Sequence, residues 1–196
     1  VLTAEEYFTP NADETGYTFG NAKNVTAEYV TIPATFNGKP VVAIADNAFQ
    51  YNKKLKGVII SEGITTVGMS AFQGCTNLET VVFADSITSI GVKAFANCTS
   101  LKSIVLPENL ESIGGYAFLN CSGLEHIELS NKLTSIHDNA FKGSAIKTVT
   151  FTGTAGNSLS AVIWLPEKTP KLLFQITHGM TEHMGRYEKL AEKLTE

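Results

Sequence analysis

The sequence has little charge, almost no arginine and no long hydrophobic run. Only 17% of its 196 residues are charged, and Arg186 is the single arginine. The 15 Lys plus Arg stand against 19 Asp plus Glu, a formal net charge of −4, so no basic patch is available to neutralise a run of phosphates. Nucleic acid is therefore not an expected partner. No apolar run approaches the roughly 18 residues that cross a bilayer, so we expect no membrane span.

Polarity comes instead from neutral side chains, since Thr, Ser and Asn together make about a quarter of the chain. The hydrophobic share of 43% is close to that of ordinary globular domains, which indicates that the chain buries a core. The sequence begins at Val1 without a basic and apolar leader, so we expect any targeting signal to lie outside it.

The dominant feature is an internal repeat of 23 residues. The dipeptide Ala-Phe recurs at this step five times, at Ala48-Phe49, Ala71-Phe72, Ala94-Phe95, Ala117-Phe118 and Ala140-Phe141. Other apolar columns keep the same step, among them Leu55, Leu78, Leu101 and Leu124, and Val67, Ile90, Ile113 and Ile136. Such self-similarity is typical of a solenoid, in which each unit buries its apolar face only against its neighbours.

The apolar residues of each copy follow Leu-x-x-Ile-x-Leu, so the last two, spaced by two, share one face of a short strand. Stacked copies predict one parallel sheet on one face of the coil, with strands about 4.8 Å apart. The Ala column suits a tight inner corner, and the Phe column suits an internal spine. The segment from Val67 to Gly74 is long enough for one helical or 3₁₀ turn, so the expected class is an α/β solenoid.

The repeat unit resembles that of the BspA-like leucine-rich repeat family, over about residues 25–152. An incomplete first copy, Tyr29–Pro33 followed by Val41–Ile44, is similar to the family's entry into its array. Asn37-Gly38 between the two halves predicts a tight turn. The resemblance implies a non-catalytic binding module, secreted or displayed on a bacterial cell surface.

The 23-residue period stops near residue 158, where the charged fraction rises from about 15% to about 26%. Leu159–Leu165 and Lys171–Thr177 predict two strands. We expect them to dock on the last coil near Phe151 and extend its sheet; pairing with another chain and poor order are the alternatives. Four apolar residues further on, Tyr187, Leu190, Ala191 and Leu194, are spaced as on one face of a helix. The segment is therefore predicted to be a short β-β-α fragment.

The stretch from His178 to Tyr187 resembles the start of the monoacylglycerol lipase and lysophospholipase family of α/β-hydrolases. In that family the backbone N–H at the position of Met180 contributes to an oxyanion hole. The motif GxSxG occurs nowhere in the chain, so we expect no Ser-His-Asp triad and no enzyme activity. The alternative hypothesis is an accessory module of a secreted serine ester hydrolase whose catalytic domain follows residue 196. The expected organisation is an N-terminal cap at 1–28, the repeat solenoid at 29–152, a linker at 153–157 and a truncated hydrolase-like start at 158–196.

Three cysteines, Cys75, Cys98 and Cys121, occupy one column of the repeat. Stacking places neighbours near the window of about 4.4 to 6.8 Å that disulfide Cα atoms require. Three interpretations stay open: small buried thiols that fill a corner of the coil, a disulfide, or a metal site, although metal spacing such as CxxC is absent. No cofactor is expected.

A second column alternates in charge, through Lys56, Glu79, Lys102, Glu125 and Lys147. In a stacked sheet these side chains become adjacent opposite charges, each exposed pair contributing a few tenths of a kcal/mol to the preferred register. Steering of a ligand is the alternative role.

The outward strand positions supply a candidate binding face. Three apolar residues form an exposed row in adjacent copies, flanked by polar side chains, where solenoids commonly bind partners. High β-propensity alone would also place Ile and Val there. The members of the face are Ile59, Val82, Val105, Glu128, Thr80, Ser103 and His126. The expected partner is an extracellular protein or glycan. A third hypothesis for the function is a purely structural spacer. The sequence does not determine the oligomeric state.

The purified chain should not hydrolyse a short-chain nitrophenyl ester in a saturable way, because no serine stands on a strand-to-helix elbow beside a histidine and an acid. A complete serine hydrolase assayed in parallel is the positive control. Saturable turnover that a serine-directed phosphonate abolishes would contradict the prediction.

Overall fold

The structure is a computed structural model that describes residues 1–130, 132–152, 158–164 and 171–173. These residues form β-strands, turns and one 3₁₀ turn at Glu5–Tyr7. In chain order the strands are β1 (Phe8–Pro10), β2 (Tyr17–Phe19), β3 (Tyr29–Ile32), β4 (Thr35–Phe36), β5 (Lys39–Ile44), β6 (Gly57–Ile60), β7 (Thr66–Val67), β8 (Thr80–Val82), β9 (Ser89–Ile90), β10 (Ser103–Val105), β11 (Ser112–Ile113), β12 (His126–Leu129), β13 (Ser135–Ile136), β14 (Thr148–Thr152), β15 (Ser158–Trp164) and β16 (Lys171–Leu173).

Successive copies stack in register and contribute strands to two parallel sheets. The front sheet takes the Leu-x-x-Ile-x-Leu strands, β3, β6 and β8 and then β10, β12 and β14. The back sheet takes the short strands β5, β7, β9, β11 and β13. Register follows the sequence repeat, since Val58 aligns with Val81 in front and Val67 with Ile90 behind. The expectation of a single sheet is therefore wrong, because a strand of two residues is too short to show alternation in the sequence.

The front sheet is interrupted once. Strands β8 and β10 are in contact, yet among the described residues no regular ladder joins them. At this coil Phe83 stands in the column of Ile60 and Leu106, and its ring is only half-buried. The Phe83 ring meets the Phe95 ring edge-on, with centroids 5.8 Å apart.

The α/β expectation is wrong for the described residues, which contain no α-helix. A helix needs consecutive right-handed residues, whereas here the corner after each back-sheet strand has a left-handed residue at every fourth position. These residues have φ between 54° and 73° and recur in two columns: Asn47, Ser70, Lys93, Tyr116 and Asn139, and Tyr51, Gly74, Asn97, Asn120 and Gly143.

The backbone N–H groups of the corner alternate between hydrogen bonds to the next coil and hydrogen bonds within the same coil. The N–H of Phe72 donates to the carbonyl of Ala94 in the next coil at 2.7 Å, while the N–H of Gln73 donates back to Ser70 at 3.1 Å. The pattern repeats one coil later. The corner therefore joins neighbouring coils by hydrogen bonds although it is not a regular strand.

The core confirms the predicted phenylalanine spine. Six rings stack along the solenoid with centroids 5.0 to 5.6 Å apart. The spine consists of Phe19, Phe49, Phe72, Phe95, Phe118 and Phe141. Offset stacking of this kind adds to the burial of the rings. The alanines before the repeat phenylalanines are buried as well, as expected for an inner corner.

Glycine is required where coils approach most closely. A Cβ on Gly91 would lie 2.8 Å from the backbone carbon of Gly68, and one on Gly114 would lie 2.6 Å from the backbone nitrogen of Val92. These positions follow back-sheet strands at the 23-residue step. Any larger residue there would push adjacent coils apart.

Both ends of the array are covered by antiparallel strands. At the start, β1 pairs antiparallel with β2, which joins β5 of the back sheet in parallel. The predicted Asn37-Gly38 turn is confirmed, since both residues have positive φ and link β4 to β5 in a two-residue hairpin. At the other end, β15 pairs antiparallel with β14, and β16 pairs with β15. The two strands after the repeat thus pair onto the front sheet, but the predicted β-β-α fragment is not confirmed, since its helix lies outside the described residues.

Replacing Phe95 by Ala in the middle of the spine should lower the free energy of unfolding by about 3 to 5 kcal/mol, as for other buried Phe truncations. Because each coil contacts only its neighbours, the two halves should then unfold in separate steps of a urea titration. Val105→Ala, at an exposed position, is the control and should change stability by less than about 0.5 kcal/mol. An unchanged urea midpoint for Phe95→Ala would contradict the spine.

Candidate functional site

The front sheet presents two outward rows that run across the coils. Strand pairing aligns Tyr29 with Gly57 and Thr80 in the first row, and Ser103 with His126 and Thr148 after the interruption. The same pairing builds the second row, which consists of Thr31, Ile59, Val82, Val105, Glu128 and Thr150. Together the two rows form the front face.

The predicted apolar row is exposed, as its outward position requires. Ile59, Val82 and Val105 are 48%, 54% and 62% exposed, whereas Val58 and Ile104 beside them are buried. The flanking Thr80, Ser103 and His126 are exposed, and Glu128 is half-buried. The structure therefore brings all seven predicted residues to one face of the sheet.

Tyr29 is a residue of this face that the repeat pattern does not show. It is 67% exposed and aligns with Gly57, so its ring stands at the start of the first row. The separation of Tyr29 and Gly57 is 28 residues, not 23, because the first copy contains the β4 hairpin. The only signal available in the sequence was an aromatic residue at the first position of the incomplete first copy.

Among the described residues, the alternating column forms one ion pair between two of its members and a second with a residue outside it. The Nζ atom of Lys147 lies 2.7 Å from the Oε1 atom of Glu125, as the alternation predicts. Lys56 pairs instead with Glu28 of the preceding coil, at 2.9 Å. The hydrogen bond and charge of Glu28 raise the pKa of Lys56, and the hydrogen bond from Lys147 lowers the pKa of Glu125. Both pairs are exposed, so they contribute little to stability.

The cysteine column is built from free thiols that are completely buried. Each S–H donates to the carbonyl of a spine phenylalanine in the preceding coil, Cys75 to Phe49 at 3.1 Å and Cys98 to Phe72 at 3.2 Å. Burial raises the pKa of Cys75 and Cys121 to about 12, and raises that of Cys98 well above its ordinary value. Of the open interpretations, the buried thiol is the one found. The disulfide is not.

A second group of exposed apolar side chains lies at the corner beside the back sheet. Met69, Val92 and Tyr116 are 48%, 43% and 39% exposed, and we refer to them as the corner patch. Tyr116 lies one position later in the repeat than Met69 and Val92, and its own backbone is in the left-handed region. The back sheet itself presents small hydroxyl side chains, Thr66, Ser89, Ser112 and Ser135. The front face thus carries three exposed apolar side chains in one column of successive coils, whereas the corner patch carries two, Met69 and Val92.

The remaining features considered are the oxyanion-like position, a metal site and a membrane span. Met180 and the hydrolase-like stretch around it lie outside the described residues. Within the described ranges, no three His, Cys, Asp or Glu side chains converge on a point that could hold a metal ion. That part of the chain also contains no helix long and apolar enough to span a membrane.

The stacked coils, the two sheets and the continuous spine define a leucine-rich repeat solenoid. A family model described as the BspA type leucine rich repeat region, in six copies, matches residues 42–159. The chain belongs to the BspA-type leucine-rich repeat family. No curated protein sequence matches it significantly. The match gives no support to the hydrolase resemblance, since it ends before His178.

Solved structures of repeat proteins share the fold. A leucine-rich repeat protein from T. pallidum is 29% identical with a TM-score of 0.71, and the alignment covers 75% of this chain and 70% of that one. A leucine-rich repeat protein from Bacteroides ovatus is 30% identical with a TM-score of 0.63, over 72% of this chain and 38% of that one. A protein from Faecalibacterium prausnitzii, described as a leucine rich cell surface protein, is 25% identical with a TM-score of 0.50, over 83% and 58%. The chain thus spans much less than the full length of the last two.

The native thiols should resist iodoacetamide at pH 8, because raised pKa values keep Cys75, Cys98 and Cys121 protonated and burial excludes the reagent. Mass spectrometry should find no label on the folded chain and three labels after denaturation in guanidinium. Ser122→Cys places a thiol at an exposed neighbouring position and is the control for reagent access. Rapid labelling of the native parent chain would contradict the buried column.

Proposed function

We propose that this protein is a non-catalytic binding module that holds an extracellular protein or glycan on its front face. The observation that carries the proposal is the exposed apolar row of Ile59, Val82 and Val105 at one strand position of successive coils, with Tyr29 at the start of the neighbouring row, all about half exposed or more. Exposed apolar side chains in a contiguous group are typical of interaction sites on soluble proteins. The buried columns repeat from coil to coil, whereas the outward rows change chemistry, so recognition is best assigned to the rows.

We infer further that the protein acts at a bacterial cell surface or in a secreted form. The support is its membership of the BspA-type family together with the similarity to the Faecalibacterium prausnitzii repeat protein described as a cell surface protein. A surface rich in neutral Thr, Ser and Asn agrees with this setting. In this proposal residues 1–28 act as the N-terminal cap and residues 29–152 carry the recognition surface, while 153–157 link them to 158–196.

A triple substitution of Ile59, Val82 and Val105 by Glu tests the front face. These side chains point away from the core, so the thermal unfolding midpoint should change little while binding falls about tenfold or more. Binding of fluorescent protein to a reconstituted basement-membrane matrix, to intact epithelial cells and to a printed glycan array provides the measurement.

The matched control replaces Met69, Val92 and Tyr116 of the corner patch by Glu, which adds the same charge at similarly exposed apolar positions. It should bind as the parent does. If the front-face variant binds as strongly as the parent chain, or if both variants lose binding to the same extent, the front face is not the binding site. A parent chain that binds none of these surfaces would favour the structural spacer.

A further inference from the structure

Among the described residues of the front face, a tyrosine ring covers a glycine only at the N-terminal end. Gly57 is the one glycine in the first outward row, and a Cβ there would lie 2.7 Å from Cδ1 of Tyr29 and 2.8 Å from Oγ1 of Thr80. The tyrosine ring edge and the threonine hydroxyl therefore converge above the same stretch of bare backbone. Gly57 is buried beneath them, while the Tyr29 side chain remains 67% exposed.

Glycine weakens a strand, and one inside a sheet often marks a point that a ligand or another group approaches closely. Here it lets the Tyr29 ring lie low on the sheet. The ion pair of Lys56 and Glu28 lies one residue before Gly57 and Tyr29 on the two paired segments. An aromatic ring and a hydroxyl thus lie over Gly57, and a carboxylate and an ammonium group stand at the adjacent strand ends.

This combination suits a sugar ring. The C–H bonds on one face of a pyranose pack against an aromatic ring, while its hydroxyls exchange hydrogen bonds with carboxylate, ammonium and hydroxyl groups. The first row continues with Thr80, Ser103 and His126, one hydrogen-bonding side chain per coil. Within β3, β6 and β8, and again within β10, β12 and β14, paired strands stand about 4.8 Å apart, which is comparable to the length of one pyranose unit. The second row lies alongside as an apolar wall of Ile59, Val82 and Val105.

We propose that the front face binds a linear neutral oligosaccharide along the solenoid axis, with one pyranose seated on Tyr29 above Gly57. The inference rests on the proposed function and names the ligand class of that site. A neutral sugar is favoured over an acidic one because the chain has a net charge of −4 and the cation nearest to the ring, Lys56, is already paired with Glu28. A protein ligand would use the apolar row without needing the ring.

The test uses the full chain and soluble neutral oligosaccharides, namely gluco-, xylo-, manno- and N-acetylglucosamine oligomers, with affinity measured by calorimetry. Tyr29→Ala should weaken binding about tenfold or more, as removal of an aromatic anchor does. Tyr29→Phe should bind nearly as the parent does, because the packing needs the ring and not its hydroxyl. Thr80→Val should weaken binding by roughly threefold to tenfold through loss of one hydrogen bond.

Tyr51→Ala is the matched control. Tyr51 is also an exposed tyrosine whose ring covers a glycine, Gly74, but it lies on the corner and not on the front face. It should leave sugar affinity unchanged. Thermal unfolding of every variant separates a structural role from a binding role, since a ring that merely shields Gly57 would change the unfolding midpoint and not the affinity of the folded chain.

Each alternative result overturns the inference in a recognisable way. If none of the sugars binds while the front-face triple variant loses a protein ligand, the site stands and the ligand class is wrong. If sugars bind and Tyr29→Ala binds equally, the subsite is misplaced. If neither the sugars nor any other surface binds the parent chain, the proposed function fails together with the inference.

Discussion

Hydrogen bonds between successive coils are the interaction on which the rest of this structure depends. A single coil leaves N–H and C=O groups unpaired along both sheets and along the corner, and each one left buried without a partner costs about 1 to 3 kcal/mol. Only the next coil, placed in register, pairs them, as Phe72 does with Ala94. Register then sets the ring spacing of about 5 Å in the spine and leaves no room for a Cβ at Gly91.

Two contributions to the free energy of folding have opposite signs at the corner. A left-handed residue other than glycine costs about 1 to 2 kcal/mol, and Ser70, Lys93 and Tyr116 each adopt this conformation. The N–H groups released from helical pairing donate to the next coil, each such bond returning about 0.5 to 1.5 kcal/mol. Buried thiols add further S–H donors to the carbonyls of the spine, as Cys121 does to Phe95. The corner is stable because many such bonds act together along the array.

Burial and recognition use different columns of the same repeat. Columns that face the core keep apolar residues of similar kind, such as the phenylalanines of the spine, since each position meets similar neighbours in every coil. Outward columns are free of this constraint, so Gly57, Thr80, Ser103 and His126 can succeed one another in the first row. The front and back sheets differ accordingly, with an aromatic and apolar surface in front and small hydroxyl side chains behind. Family membership defines the scaffold, while the residues of the outward rows are set by this chain's own sequence.

The sequence by itself determined the 23-residue step, the phenylalanine spine and the outward position of Ile59, Val82 and Val105, whereas the choice of buried thiols over a disulfide or a metal site needed the structure. Each of the first three follows from apolar residues that recur at the same step, so periodicity reports it directly. The back sheet, the left-handed corner and the Lys56 to Glu28 pair were decided only by the tertiary structure. So was the placement of the Tyr29 ring over Gly57, because these two residues belong to copies of unequal length and meet only after the coils have stacked.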